Sequence, residues 1–156
     1  MRRNGQTTCV PRLRRLTVSL KHQTALTVER VPLDGQKLVY VLVQDKKHSY
    51  RDGRSRIVYI GTTKNGWGRV AQSAAAKVDS ILGSRGVRRF TARVITCRPR
   101  RGVKTWLKLE RALLLAFKAA HGEVPVLNTQ GRRIKELDEF RYFKRSRLMR
   151  ILDDLA

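Results

Sequence analysis

The chain has 156 residues, of which 35 are Lys or Arg and 12 are Asp or Glu, so the formal net charge is +23. This length is enough for one domain with a buried core. A charge excess of this size repels itself but favours a polyanionic partner, most often nucleic acid, with an anionic membrane surface or an acidic protein as alternatives. No apolar run approaches the roughly 20 residues needed to span a bilayer, so we expect no membrane partner.

The two cysteines and the N-terminal arginines suggest where the protein acts. Cys9 and Cys97 form no CxxC pair, which indicates small core or surface residues in a reducing compartment rather than zinc ligands or a disulfide framework. Residues 1–15 carry five arginines and no acid. An organelle transit peptide fits this composition, but a basic arm on nucleic acid fits it better. We expect a loosely ordered arm over 1–15, one domain over 16–156, and an intracellular site in the cytoplasm or at the nucleoid.

Strand patterns occur in four parts of the chain. Residues 16–28 contain two strand-like pieces that predict an N-terminal hairpin. Residues 38–43 are apolar on both faces, as in a central strand. The next strand, 57–60, follows a polar stretch over 44–56 that predicts a long, mobile loop and makes these two strands antiparallel. Residues 90–97 alternate like a third strand.

Helical patterns occur between and after these strands. One helix is predicted from Val70 to about Leu82, where a Gly-Ser-Arg-Gly sequence stops it. The strongest pattern predicts a helix over 103–121, closed by Gly122. A last helix is predicted over 134–155, and its apolar face would pack on the body of the domain, on nucleic acid or on a second copy of the chain.

The loop between the second strand and the first helix suggests a phosphate site. Tyr59 and Gly61 lie on one face of their strand, because side chains alternate along a strand. Arg69 lies near the start of the following helix, where the free backbone N–H groups favour anions. A tyrosine, a glycine and an arginine that face one point are suited to binding a phosphate.

Glu110 is the second unusual residue. It lies inside the apolar stripe of the 103–121 helix, and a carboxylate there is costly to bury unless it is paired or binds a metal. Two explanations remain open at this point, an ion pair with an arginine such as Arg69 or a functional site. The stripe consists of Trp106, Leu107, Leu113, Leu114 and Phe117.

A run of basic residues predicts the surface that binds nucleic acid. Between Ser80 and Leu109 there are nine cations and no acid. A solvated loop face gives no reason for nine cations without a counter-charge, whereas a surface that contacts successive phosphates does. The candidate nucleic-acid contacts, including those of the 44–56 stretch, are Lys46, Lys47, Arg51, Arg54, Arg56, Lys64, Arg85, Arg88, Arg89, Arg98, Arg100, Arg101 and Lys104.

Tyr40 lies on the first central strand, and Pro125 and Asn128 follow the 103–121 helix. Taken in order with Tyr59, Gly61, Arg69 and Glu110, they resemble the motifs of the GIY-YIG nuclease family, over residues 37–130. Three features depart from the family pattern. Leu38 replaces the opening glycine of the first motif, Ser73 stands where several members have histidine, and the two motif tyrosines are 19 residues apart. The matching positions are Tyr40, Tyr59, Gly61, Arg69, Glu110, Pro125 and Asn128.

The resemblance implies an α+β fold, with a small three-stranded antiparallel sheet flanked by helices. It also implies an endonuclease that cuts DNA to 5′-phosphate and 3′-hydroxyl ends with one divalent ion, Mg²⁺ or Mn²⁺. Tyr40 would be the general base, Tyr59 would orient the water or a phosphate oxygen, and Arg69 would clamp the phosphate. Glu110 would hold the metal, and Asn128 would hold the local loop and the scissile phosphate.

Two other classes of function remain open at this stage. A non-catalytic basic protein, ribosome-associated or architectural, would account for the charge alone. A protein interaction module would use the C-terminal helix to bind a partner. Glu110 separates the nuclease from the first of these, because a protein that only binds has no need for a carboxylate in an apolar stripe. The substrate stays open among branched DNA, a short restriction site, a mobile-element target and RNA.

Overall fold

The structure, a computed structural model, describes Lys21 and residues 35–156. Residues 35–156 belong to a compact unit that begins at Pro32. The predicted basic arm over 1–15 lies outside the described residues, as does the hairpin over 16–28 apart from the exposed Lys21. No helix in the described part of the chain is long and apolar enough to cross a membrane.

Three strands form one antiparallel sheet. They are β1 (Leu38–Tyr50), β2 (Gly53–Thr63) and β3 (Phe90–Ile95), in the order β2-β1-β3. The apolar residues at the start of β1 are buried, as a strand with a neighbour on each side and a packed layer on each face requires. The fold is α+β, as predicted.

The predicted long loop over 44–56 is wrong, because both strands continue through it to a turn at Arg51 and Asp52. Tyr50 stabilises this extension of the hairpin. Its hydroxyl donates to the carbonyl oxygen of Ile57 at 2.5 Å, and its ring contacts Phe117 edge-on with 5.1 Å between centroids. The extension is polar because most of its other side chains are exposed, which is why its sequence resembles that of a loop.

Five helices follow the hairpin. They are α1 (Trp67–Ala75), α2 (Val78–Leu82), α3 (Thr105–His121), α4 (Glu139–Tyr142) and α5 (Arg145–Leu155). The prediction of α3 is confirmed, and it ends at Gly122 in the left-handed conformation with φ 77°. The single helix predicted over 70–82 is wrong, because α1 and α2 are separate at Ala76 and Lys77. The single helix predicted over 134–155 is also wrong, because Phe143 is extended between α4 and α5.

The sheet has a hydrophobic core on each face. One core joins β1 and β2 to α3 and α5, so the C-terminal helix packs on the body of the domain through Leu148 and Leu152. The other core joins the sheet to α1 and α2 through Val70 and Ile81. The predicted stripe of α3 is partly wrong, because Leu107 is 37% exposed. The buried residues of α3 are Thr105, Leu109, Ala112, Leu113, Leu114, Ala116 and Phe117.

Candidate active site

Two tyrosines converge over one glycine on the α1 face of the sheet. The register of β1 and β2 places Tyr40 opposite Gly61. A Cβ atom at Gly61 would lie 2.5 Å from Cε1 and 2.8 Å from the hydroxyl oxygen of Tyr59, and 3.0 Å from Cζ of Tyr40. The ring centroids of the tyrosines are 5.9 Å apart. Only glycine leaves room for both rings here, which is the physical reason for a glycine at position 61.

Helix α1 carries two polar residues of the candidate site. Arg69 lies in its first turn and is exposed, where the free N–H groups of the helix favour an anion. One turn later, the buried Ser73 forms a side-chain hydrogen bond with Tyr59. The helix start is fixed by Gly66, which has φ 71° and donates its N–H to the carbonyl oxygen of Gln36 at 2.9 Å.

Tyr59 stays protonated in this environment. Burial is the main cause that raises its pKa to about 12, followed by the charge of Tyr40 and a hydrogen bond with it, and by the charge of Glu110. The hydrogen bond with Ser73 lowers the pKa by less. At neutral pH Tyr59 is therefore a hydrogen-bond donor and not a base.

Glu110 reaches the same site from α3, in the layer on the other face of the sheet. Burial raises the pKa of Glu110 to about 7, and the charge of Arg111 opposes this shift. None of the ion pairs among the described residues includes Glu110, so the ion pair with Arg69, one of the two explanations left open by the sequence, is not found. The charge of Glu110 acts on Tyr59. The carboxylate thus lacks a cationic partner within ion-pair distance in the described part of the chain.

The donor set around Glu110 suits one kind of metal ion. Within the described ranges, no group of three or more His, Cys, Asp or Glu residues could hold a metal. A zinc site would need such a group. Magnesium is commonly held by one or two carboxylates, with water and substrate phosphate completing its six ligands. A single partly desolvated carboxylate would therefore fit Mg²⁺ or Mn²⁺ if a substrate phosphate and water supplied the remaining ligands.

Asn128 closes the outer edge of β2 behind Tyr59. Its Oδ1 accepts from the N–H of Ile60 at 2.9 Å, and its Nδ2 donates to the carbonyl oxygen of Ile60 at 2.7 Å. Leu127 adds an N–H to the carbonyl oxygen of Val58 at 3.0 Å. The buried amide thus replaces a neighbouring strand, which makes Asn128 a residue that positions β2.

Sequence reasoning missed Lys77. Its ammonium lies 4.1 Å from the ring centroid of Tyr59 and donates to Oγ of Ser73 at 3.2 Å. Burial lowers the pKa of Lys77, and the nearby charge of Arg69 lowers it further. The signal in the sequence was the spacing, since Arg69, Ser73 and Lys77 recur every four residues on one helical face.

The predicted nucleic-acid contacts do not form one patch. Arg51 and Arg54 lie at the tip of the hairpin, roughly 30 to 35 Å from Tyr40 at the rise of a β-strand. Lys46 lies between, where its ammonium donates to the carbonyl oxygen of Arg85 at 3.2 Å. Because β3 ends beside the start of β1, the cations that follow β2 and β3 lie at the tyrosine end of the sheet. These are Lys64, Arg98, Arg100, Arg101 and Lys104.

Three members of the predicted set have internal partners, since Lys46 donates to Arg85 and Arg51 pairs with Asp52 at 3.4 Å. Arg56 is half-buried and its Nε donates to the carbonyl oxygen of Ala156 at 2.9 Å. Most of the others are exposed. The exposed cations extend along the hairpin for about the length of one turn of B-DNA, ~34 Å.

Comparison with protein-family models, with curated proteins and with solved structures finds no match for this chain. The residues that bear on function are therefore those that the fold brings together. They come from four elements, β1, β2, α1 and α3, and converge at one end of the sheet.

Proposed function

We propose that this protein is a metal-dependent endonuclease of the GIY-YIG type, which hydrolyses DNA phosphodiester bonds to 5′-phosphate and 3′-hydroxyl ends. The observation that carries the proposal is that Glu110 is partly buried and belongs to none of the ion pairs among the described residues. Its burial raises its pKa to about 7, and its charge acts on Tyr59. A carboxylate kept near a phosphate site without an ion-pair partner costs stability, and a metal-binding role accounts for that cost.

Each residue of the site has a separate role in the hydrolysis. Tyr40, acting as its phenolate, accepts a proton from a water molecule and becomes the neutral phenol, and the oxygen of that water forms a bond to phosphorus. The bond between phosphorus and O3′ then breaks, and O3′ takes a proton from solvent. Tyr59 donates its hydroxyl proton and so orients the oxygens around it. Mg²⁺ or Mn²⁺ held by Glu110 would supply Lewis acidity at the phosphate.

The position of Arg69 suits a residue that binds phosphate, because Arg69 is exposed and lies at a helix start. Its guanidinium has a planar fork that fits two non-bridging phosphate oxygens. Charge that develops on those oxygens in the transition state would be neutralised by a cation already in place. Asn128 acts through Ile60, by holding the strand that carries Tyr59.

The second candidate is a non-catalytic basic protein that binds nucleic acid. The net charge of +23 favours it as much as it favours the nuclease. The two proposals differ over Glu110, which repels phosphate in a protein that only binds and is needed in one that cuts. Cleavage therefore decides between them.

The experiment is a nicking assay on supercoiled plasmid, with Mg²⁺ and with EDTA. The wild-type protein should nick in Mg²⁺ alone, and the ends should accept ligation without phosphatase treatment. Arg69→Lys keeps the charge but loses the fork, so its rate should fall by about 10² to 10³. Arg147→Lys is the matched control, because Arg147 is an exposed arginine on α5. Equal nicking by both variants would assign the activity to a contaminant, and no nicking by the wild type in Mg²⁺ or Mn²⁺ would favour the non-catalytic protein.

The partner is tested by the salt dependence of binding. Each phosphate neutralised contributes a log–log slope of about −0.9 on duplex DNA. Replacing Arg98, Arg100 and Arg101 by Ala should flatten the slope by up to about three units and weaken all sequences alike. The control triple of exposed arginines, Arg132, Arg133 and Arg141 to Ala, should change it less. Fluorescence anisotropy of a labelled duplex between about 50 and about 300 mM NaCl measures the slope. Equal slopes for the two triple variants would place the binding surface elsewhere.

A further inference from the structure

The side chain of Lys77 is held in place by two contacts of different kinds. It lies at the break between α1 and α2, where its backbone N–H donates to the carbonyl oxygen of Ala74 at 3.0 Å. Its ammonium donates to Oγ of Ser73 at 3.2 Å and lies 4.1 Å from the ring centroid of Tyr59. One side chain thus holds both the hydroxyl that contacts Tyr59 and the ring of Tyr59.

This position is unfavourable for a lysine that serves stability alone. The ammonium is partly buried, and the charge of Arg69 acts on it. None of the ion pairs among the described residues includes Lys77. Two cations placed close together, with no carboxylate to balance the buried one, are a feature of sites that bind or stabilise negative charge.

The contacts of Lys77 lead towards Tyr40. A lysine has only donors, so Ser73 accepts from Lys77 and its own proton is free for Tyr59. The Tyr59 hydroxyl oxygen and Cζ of Tyr40 lie 2.8 Å and 3.0 Å from one point, the place that a Cβ atom at Gly61 would take. The Tyr59 hydroxyl, which keeps its proton at neutral pH, is therefore next to the phenol end of Tyr40.

We propose that Lys77 is a positioning residue of the active site, which acts through Ser73 to hold the Tyr59 hydroxyl as a donor to Tyr40. The proposal rests on the proposed nuclease function. Without Lys77, the Ser73 hydroxyl is free to rotate and the Tyr59 ring loses the cation on its face. Tyr40 then loses a fixed donor, and its oxygen is no longer held in line with the attacking water. Misplacement of this size costs up to about 10²-fold in rate.

The test is single-turnover cleavage of a labelled duplex at saturating protein, with binding measured separately in Ca²⁺. Lys77→Met removes the charge and keeps the length of the side chain, and we expect its rate to fall by about 10- to 100-fold with a dissociation constant like that of the control. The control is Lys118→Met, because Lys118 is also half-buried and donates to a carbonyl oxygen, that of Arg132 at 3.1 Å. Lys77→Arg keeps a cation and donors, and should recover most of the rate.

A double-mutant cycle tests whether Lys77 acts through Ser73. Ser73→Ala should be slow by itself, and adding Lys77→Met to it should cost less than about threefold more, because the contact between the two is already lost. Additive effects would overturn the proposal, as would a wild-type rate in Lys77→Met. A loss confined to binding would make Lys77 a phosphate contact instead. Circular dichroism at the assay temperature checks folding, and Lys77→Arg replaces Lys77→Met in the cycle if the latter is unfolded.

The outcomes separate this proposal from the proposed function. A wild-type protein that cuts, with a Lys77→Met variant that cuts equally well, overturns only the role of Lys77. A wild-type protein that does not cut in Mg²⁺ or Mn²⁺ overturns the nuclease and, with it, the role of Lys77 in the reaction.

Discussion

Glu110 and Glu139 are two carboxylates that lose much of their contact with water, and their pKa values shift in opposite directions. Glu139, at the start of α4, is 1% exposed. Its Oε1 accepts from Nε of Arg111 at 2.6 Å, and its Oε2 accepts from the N–H of Leu137 at 2.8 Å. Burial alone would raise the pKa of Glu139, but the hydrogen bond from Arg111 and the backbone N–H groups lower it to about 2.

The comparison shows how a buried carboxylate with a balanced charge differs from one without a partner. Glu139 is more buried than Glu110, yet its charge is balanced by Arg111 and satisfied by hydrogen bonds. Glu110 has no such partner, so its charged form is unfavourable until a cation arrives. Burial is thus a weaker guide to function than the balance of charge and hydrogen bonds around the buried group.

The largest expected difference is in cleavage. Glu110→Gln removes the only charge that the proposal gives to the metal, and we expect the single-turnover rate in Mg²⁺ to fall by about 10³-fold. Glu139→Gln, measured below its unfolding temperature, should stay within about threefold of the wild type. Equal rates for Glu110→Gln and the wild type in both Mg²⁺ and Mn²⁺ would contradict the assignment of the metal ligand.

The same contrast applies to two buried tyrosines of β1. Tyr40→Phe keeps the packing ring but removes the proton acceptor, and the rate should fall by about 10² to 10⁴. Tyr50→Phe removes a hydroxyl that donates to the carbonyl oxygen of Ile57, so it should lower stability by about 1 to 3 kcal/mol and leave the rate unchanged. Cleavage kinetics and urea unfolding of both variants measure the two effects. A Tyr40→Phe variant with the wild-type rate would reduce Tyr40 to a packing residue.

In stability, unlike in cleavage, Glu139→Gln should have a larger effect than Glu110→Gln. Glu139→Gln leaves the Arg111 cation without its partner, and we expect a loss of about 3 kcal/mol near neutral pH. The folded pKa of about 2 lies below the usual value of 4.5 for a glutamate, so the ionised pair stabilises fully above pH 4.5. This stabilisation is lost as pH falls through 2. Urea unfolding from pH 2 to 7 should therefore show the wild type and Glu139→Gln converging in acid, and a constant difference would contradict the ion-pair explanation.

The smallest expected effect is a gain in stability at the candidate site. The folded pKa of Glu110, about 7, lies above the usual value of 4.5 for a glutamate. The stability contributed by its protonated form is therefore present below pH 4.5 and lost as pH rises through 7. In EDTA, Glu110→Gln should therefore be more stable than the wild type by about 1 to 2 kcal/mol at pH 8 and equal to it at pH 4. Adding Mg²⁺ should raise the unfolding temperature of the wild type and not of the variant. A destabilised Glu110→Gln at pH 8 would mean that Glu110 has a structural partner.

Local sequence patterns predicted the elements that have one clear periodicity. The start of β1, the strand that begins at Phe90 and the helix α3 follow from β-branched runs and from the apolar spacing of a helix. The extension of the hairpin was missed because its stabilising contacts are long-range, above all the packing of Tyr50 against Phe117. The break at Ala76 was missed because the alanine-rich segment has high helix propensity, and the packing of Ile81 in the second core is not visible locally.

The sequence by itself determined the charge of the chain, the order of the candidate site residues and the conflict of Glu110 with its apolar surroundings. Only the tertiary structure decided which carboxylate is satisfied. Arg111 follows Glu110 in the chain, but adjacent side chains on a helix point about 100° apart. Arg111 therefore reaches Glu139 on α4, and the charge of Glu110 stays unpaired among the described residues and acts on Tyr59. Because that partner comes from a segment 28 residues away, no local pattern could assign it.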